Sequence, residues 1–133
     1  MEPVLNSSSL TLLLIRTTYL EMFLPQLILS LVFVLAGLIM AKYPPKKINP
    51  IYGYRTLRSM QSQEAWNYAQ RVSSRRMVLS GIAGLLVFIA AWMLEFSEGI
   101  HAMLMIATLI LSLVYVVYNV ERNLKKKFPD TRV

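Results

Sequence analysis

One long polar stretch, Asn49–Arg76, interrupts an otherwise apolar chain, and its residue types are those that hold anions. Arg55 offers five donors in a rigid fork matched to phosphate or carboxylate. Thr56 and Ser59 add hydroxyls, and Asn49 supplies both a donor and an acceptor. Gly53 admits a backbone angle or a close approach that a side chain would block. Together these residues suit a lipid phosphate, a peptide carboxylate or an acidic group on a partner protein. A structural role is the alternative: Arg55 tying the loop to helix-end carbonyls or to Glu64, and Trp66 anchoring at the membrane interface. The two roles are compatible.

Other constellations are weaker. Glu95, Glu98 and His101 recur every three residues, a spacing that suggests a metal site, a proton site or a carboxylate pair. A solvated turn accounts for them better, because a metal centre needs several placed ligands with supporting groups. The chain has no cysteine, which removes disulfides and thiolate metal sites. It carries no Ser/His/Asp set, phosphate-binding glycine loop, dinucleotide fingerprint or zinc-protease helix. The eight methionines are scattered through apolar runs and read as packing residues. The expectation is a non-enzymatic protein with no cofactor and no metal.

The elements that position the polar stretch follow from composition. At 56% hydrophobic and 16% charged residues, a soluble domain of 133 residues could not hide the runs Met22–Ala41, Met77–Leu94 and Ala102–Val120. They contain 20, 18 and 19 residues, and about 20 helical residues cross about 30 Å of hydrocarbon. The fold class is therefore all-α, with three transmembrane helices near 21–41, 77–94 and 101–120 in one membrane domain. The polar segment 42–76 lies between the first two. Few polar groups fall inside the spans, and no ionisable one at a midplane, which counts against an ion pump or proton-coupled transporter.

The net charge of +7 is distributed for a membrane rather than for nucleic acid. Lys42, Lys46, Lys47, Arg55, Arg58, Arg71, Arg75 and Arg76 lie in the first loop, and Arg122, Lys125, Lys126, Lys127 and Arg132 follow the third run. The opposite loop, Glu95–Gly99, holds two acids and no base. Positive charge marks the cytoplasmic face, so the N-terminus is expected outside and the C-terminus inside. Lys42, Arg71, Arg75, Arg76 and Lys125–Lys127 are expected to anchor on anionic lipid, at about 1 kcal/mol per basic residue near the surface.

Residues 1–9 read as a disordered or capping segment in which Ser7–Ser9 can cap a helix. Residues 10–20 are either the outer end of a long, tilted first helix or a separate interfacial helix; Arg16, Tyr19 and Glu21 favour an irregular or interfacial lead-in, with Pro25 close to the start of the first span, where proline is tolerated. The N-terminus lacks the basic region of a signal peptide. Pro44-Pro45 ends the first span. Ser59 or Ser62 is the expected cap of the next helix, which either runs straight into the second span or bends near Ser73–Ser74. Trp66, Ala69 and Ser73 share one face of it. Small residues spaced by four, Gly37/Ala41 in the first span and Ser80/Gly84 beside Gly81 in the second, predict close packing of these two helices.

The order Asn49-x3-Gly53-x-Arg55-Thr56, then a Ser/Gln/Glu-rich helix start with Trp66 and a basic helix entering the next span, resembles the SdpI family of small bacterial membrane proteins. The resemblance covers roughly residues 39–94, and the third span by hydropathy. It implies location in the bacterial cytoplasmic membrane, immunity against a secreted toxic peptide, and signalling in which the cytoplasmic face holds a regulator. Partners it implies are a toxic peptide or a cytoplasmic regulator; the basic loop itself suits an acidic partner or anionic lipid, and the small-residue helix face suits a second copy of the chain. The residues themselves leave two alternatives open: an enzyme or carrier binding a lipid phosphate or peptide through Arg55, and a small subunit of a larger membrane complex.

Overall fold

A computed structural model describes residues 6–129, with side chains described outside 12–23. Three helices account for most of it: α1 (Ser7–Lys42), α2 (Gln63–Met93) and α3 (Glu98–Lys127). Each contains a stretch long and apolar enough to cross a membrane. The readings of residues 1–5 and Arg132, and of the side chains of Arg16, Tyr19 and Glu21, lie outside what is described.

The first helix differs from expectation at its start. Its backbone is helical from Ser7 onward, so residues 10–20 form no separate lead-in. Asn6, not a serine, occupies the cap position, and its side chain caps nothing; Ser7 and Thr11 lie inside the helix, where Thr11 Oγ1 donates to the Ser7 carbonyl at 2.9 Å. Pro25 consequently lies in the helix interior rather than its first turn. There its ring removes one backbone hydrogen bond, a loss that transmembrane helices accommodate more readily than soluble ones. At 36 residues the helix is about 54 Å long, well beyond the hydrocarbon thickness.

The second helix runs unbroken from the polar loop into the apolar run, with Ser73 and Ser74 inside it. The hydroxyls of those serines donate back to the carbonyls of Gln70 and Arg71, so they are satisfied inside the helix. Ser62 is the N-cap and accepts from the Ala65 amide at 3.1 Å, with Glu64 in the first turn. Both features favour a helix start at the positive end of the dipole.

The second helix lies between the other two, and α1 meets α3 least. Along α1 the buried positions Gln26, Ser30, Phe33, Gly37 and Met40 alternate by four and three residues, tracing a seam against α2. Glycine makes the approach possible. A Cβ on Gly81 would fall 2.7 Å from the Val34 amide nitrogen and 2.8 Å from the Ser30 carbonyl; one on Gly37 would fall 2.8 Å from the Ser74 carbonyl. Both sets of contacts are backbone, which cannot give way. Gly84 packs against Ser30 and Thr108 where the three helices meet. Ala41 is exposed and takes no part; Met40 holds that end of the seam.

The apolar core lies toward the loop rather than in the middle of the spans. Ala65, Ala69, Val116, Val120 and Leu124 are buried together, with Tyr54, Tyr68, Val72, Met77, Tyr115 and Phe128 packed around them. This division has a physical reason. Between helices in lipid there is no hydrophobic drive, so close backbone contact takes over. Beyond the lipid, water restores the drive and a conventional core forms.

Candidate functional site

The connection from Tyr43 to Ser62 is built from the motif residues upward. Asn49 folds the chain locally: its side-chain oxygen accepts from the amides of Ile51 and Tyr52 at 3.0 and 2.8 Å, and its amide group donates to the Lys47 carbonyl. Gly53 follows at φ +109°, a conformation strained for any residue with a side chain. A Cβ there would meet Gln70 Oε1 at 2.6 Å. The space is needed because Gln70 grips the next residue at both ends: the Tyr54 amide donates to Oε1 at 2.7 Å, and Nε2 donates to the Tyr54 carbonyl at 3.0 Å.

The chain then reaches α3. Tyr54 Oη and Thr56 Oγ1 both donate to Glu121 Oε1, at 3.1 and 2.7 Å, and Arg58 Nε lies 3.5 Å from Glu121 Oε2. Burial, then the Glu121 charge and the hydrogen bond to it, hold the Tyr54 phenol well above the ordinary tyrosine range. It therefore stays a neutral donor. Ser59, completely buried, closes the turn: its hydroxyl accepts from the Thr56 amide at 2.8 Å and faces the carbonyls of Tyr54 and Thr56, while its amide donates to Thr56 Oγ1.

Trp66 is also completely buried, and its indole N–H donates to the Pro45 carbonyl at 2.8 Å. This corrects the reading of Trp66 as an interfacial anchor: it pins the proline exit of α1 onto α2. Gln63 adds a second tie, donating to the Lys46 carbonyl at 2.8 Å. Five of the six singled-out residues, Asn49, Gly53, Thr56, Ser59 and Trp66, thus shape the loop and hold it on α2 and α3.

Arg55 is the sixth, and it differs. It is exposed and makes no hydrogen bond or ion pair among the described residues, to Glu64 or to any helix-end carbonyl. The bracing cation is Arg58 instead. Leu57 and Ile51 in the same loop are 88% and 87% exposed. A rigid loop therefore presents one free guanidinium and two uncovered aliphatic side chains.

The basic residues divide in two. Arg76 Nη1 donates to Tyr115 Oη at 2.8 Å, and Lys127 Nζ sits 4.6 Å from the centre of the Tyr68 ring, so these two are engaged with helix neighbours. Lys42, Arg71, Arg75, Lys125 and Lys126 are exposed at the same end of the bundle, with Lys42 over the Tyr43 ring and Arg71 donating to the Asn67 carbonyl one turn back. At the opposite end Glu95 and Glu98 are exposed, as a solvated turn requires, but His101 is buried, so the three do not form one cluster. No group of metal-binding side chains occurs among the described residues.

Gln70 and Glu121 escaped the sequence reading. Glu121 left one signal, an acid placed directly after the third apolar run and ahead of Arg122 and Lys125–Lys127. Gln70 left none, since a glutamine on a polar helix reads as surface.

Fold and loop together define a three-helix membrane protein with a braced polar cap on one side. The SdpI/YfhL protein family model matches residues 46–119, from the loop through most of α3. The chain belongs to that family. A Bacillus subtilis (strain 168) protein described as uncharacterized protein YfhL is 51% identical over 49 residues, which is 37% of this chain and 44% of that relative. The match thus spans less than half of the relative's length. No solved structure matches the chain.

Proposed function

We propose that this is a non-enzymatic SdpI-like protein of the bacterial cytoplasmic membrane, N-terminus outside, that gives immunity to a toxic peptide or signals to a cytoplasmic regulator through its basic loop. The observation that carries the reading is the contrast within the loop. Its polar neighbours are consumed in bracing it, while Arg55 is left outward and unpartnered beside exposed Ile51 and Leu57 in sequence. A free fork on a rigid support recognises a carboxylate or phosphate with little ordering cost. The placement of basic residues supports the orientation.

The test compares Arg55→Lys and Arg55→Ala with the wild type for melting temperature in detergent and for survival of expressing cells challenged with a membrane-active killing peptide. Unchanged melting with lost protection is expected, because lysine keeps the charge and lacks the fork. Full protection by both variants at equal membrane abundance removes Arg55 from the function. The second reading, a carrier or enzyme acting on a lipid phosphate or peptide, rests on the same arginine and would appear as ligand retention that Arg55→Ala abolishes.

A further inference from the structure

On the membrane side of the bundle, away from Arg55, a groove of about 300 Å³ opens between α2 and α3. Leu79, Ala83 and Val87 form one wall, Thr108 and Leu111 the other, and Tyr115 closes the end nearest the loop. Its length along α2, Leu79 to Val87, is roughly 12 Å. A helix segment of that length, about 10 Å across, occupies roughly three times the volume of the groove, whereas an extended hydrocarbon chain is far thinner.

The closed end is not apolar. Tyr115 Oη holds Arg76 Nη1 at 2.8 Å, and the Arg76 guanidinium carbon lies 5.7 Å from the tyrosine ring centre. The remaining Arg76 donors have no partner among the described residues. A fixed cation with spare donors thus sits at the loop end of this apolar groove, one helical turn before Leu79 begins the wall. Within the groove, Ser80 is 6% exposed and its hydroxyl has no hydrogen-bond partner.

We propose that this groove is a binding site for one anionic phospholipid, with an acyl chain between α2 and α3 and the phosphate on Arg76. Volume favours a chain over a helix, and the tethered guanidinium favours a negative headgroup over a zwitterionic one. Arg76 is then a lipid ligand of defined geometry, distinct from the freely solvated Arg75 beside it.

Native mass spectrometry of the detergent-purified chain, with added phosphatidylglycerol or phosphatidylcholine, tests the site. Wild-type protein is expected to retain one phosphatidylglycerol in preference to phosphatidylcholine. Ala83→Trp fills the slot from an exposed position and should abolish retention of both lipids; Leu111→Trp on the facing wall serves if that variant does not fold. Arg76→Gln should lower phosphatidylglycerol retention about fivefold, the loss of one basic residue's attraction, and leave phosphatidylcholine unchanged. Equal retention by the wild type and the groove-filled variant overturns the proposal. So does a lipid-free dimer that Ala83→Trp splits, which would make the groove a contact with a second copy.

Discussion

At the residue scale, the loop is held on the helices at two points, Gln70 and Glu121, and each can be removed singly. Gly53→Ala combines a strained φ with a Cβ directed at Gln70 Oε1, and should destabilise by about 1–3 kcal/mol or more, read as a lower melting temperature in detergent. Glu121→Gln removes the charge that three donors converge on, and a loss of about 1–3 kcal/mol is expected. Arg55→Ala should stay within about 0.5 kcal/mol of wild type, since it breaks no contact among the described residues. The Tyr54 phenol gives a pH signature. Its proton is held more tightly folded than unfolded, so its stabilising contribution is complete below the ordinary tyrosine pKa near 10.0 and is lost as pH rises above it. Tyr54→Phe should flatten the alkaline fall in melting temperature; an unchanged fall would assign it to another group.

Element-scale packing rests on how closely α1 and α2 approach. Gly81 lies against the backbone of α1 at Ser30 and Val34, so neither side can relax around a larger residue. Gly81→Leu should therefore push the helices apart and lower thermal stability, although leucine is more apolar than glycine. Ala90→Leu, exposed on the same helix, adds similar apolar bulk and should leave the melting temperature within a few degrees. Equal behaviour of the two would mean that the glycine seam contributes nothing to the fold. The helix α2 also explains why the loop is rigid. Because it continues unbroken from Ser62 into the membrane, Trp66 and Gln70 are carried on the same rod that α1 packs against.

Across the whole molecule, the braced cap and the hairpin turn between α2 and α3 lie at opposite ends of the bundle, and their charges differ in sign. Single cysteines can report which end faces the cytoplasm. Ser97→Cys, in the hairpin turn, should react with a membrane-impermeant reagent in intact cells, and Leu57→Cys in the loop should react only after lysis. Leu57 is the right probe because it is 88% exposed, whereas the neighbouring Ser59 is completely buried and would perturb the turn it reports on. Reversed labelling would invert the proposed orientation.

The sequence by itself determined the features that follow from solvent preference and chain stiffness. Three apolar runs of membrane length can only be helices, because lipid offers no partner for a free backbone group. Pro44-Pro45 must end α1, Ser62 can cap α2, and the glycines of α1 and α2 mark the close seam. The motif was legible as a polar unit but not as a mechanism, because its meaning depends on residues far along the chain. Only the tertiary structure brings Glu121, 65 positions after Thr56, to the loop, and so decides that Arg58 braces while Arg55 stays free. The same holds for Pro25 and Ala41, whose local patterns carry no record of where the helix begins or which face meets α2. Hydropathy reports which solvent a segment prefers; which donor meets which acceptor is settled by how three helices pack.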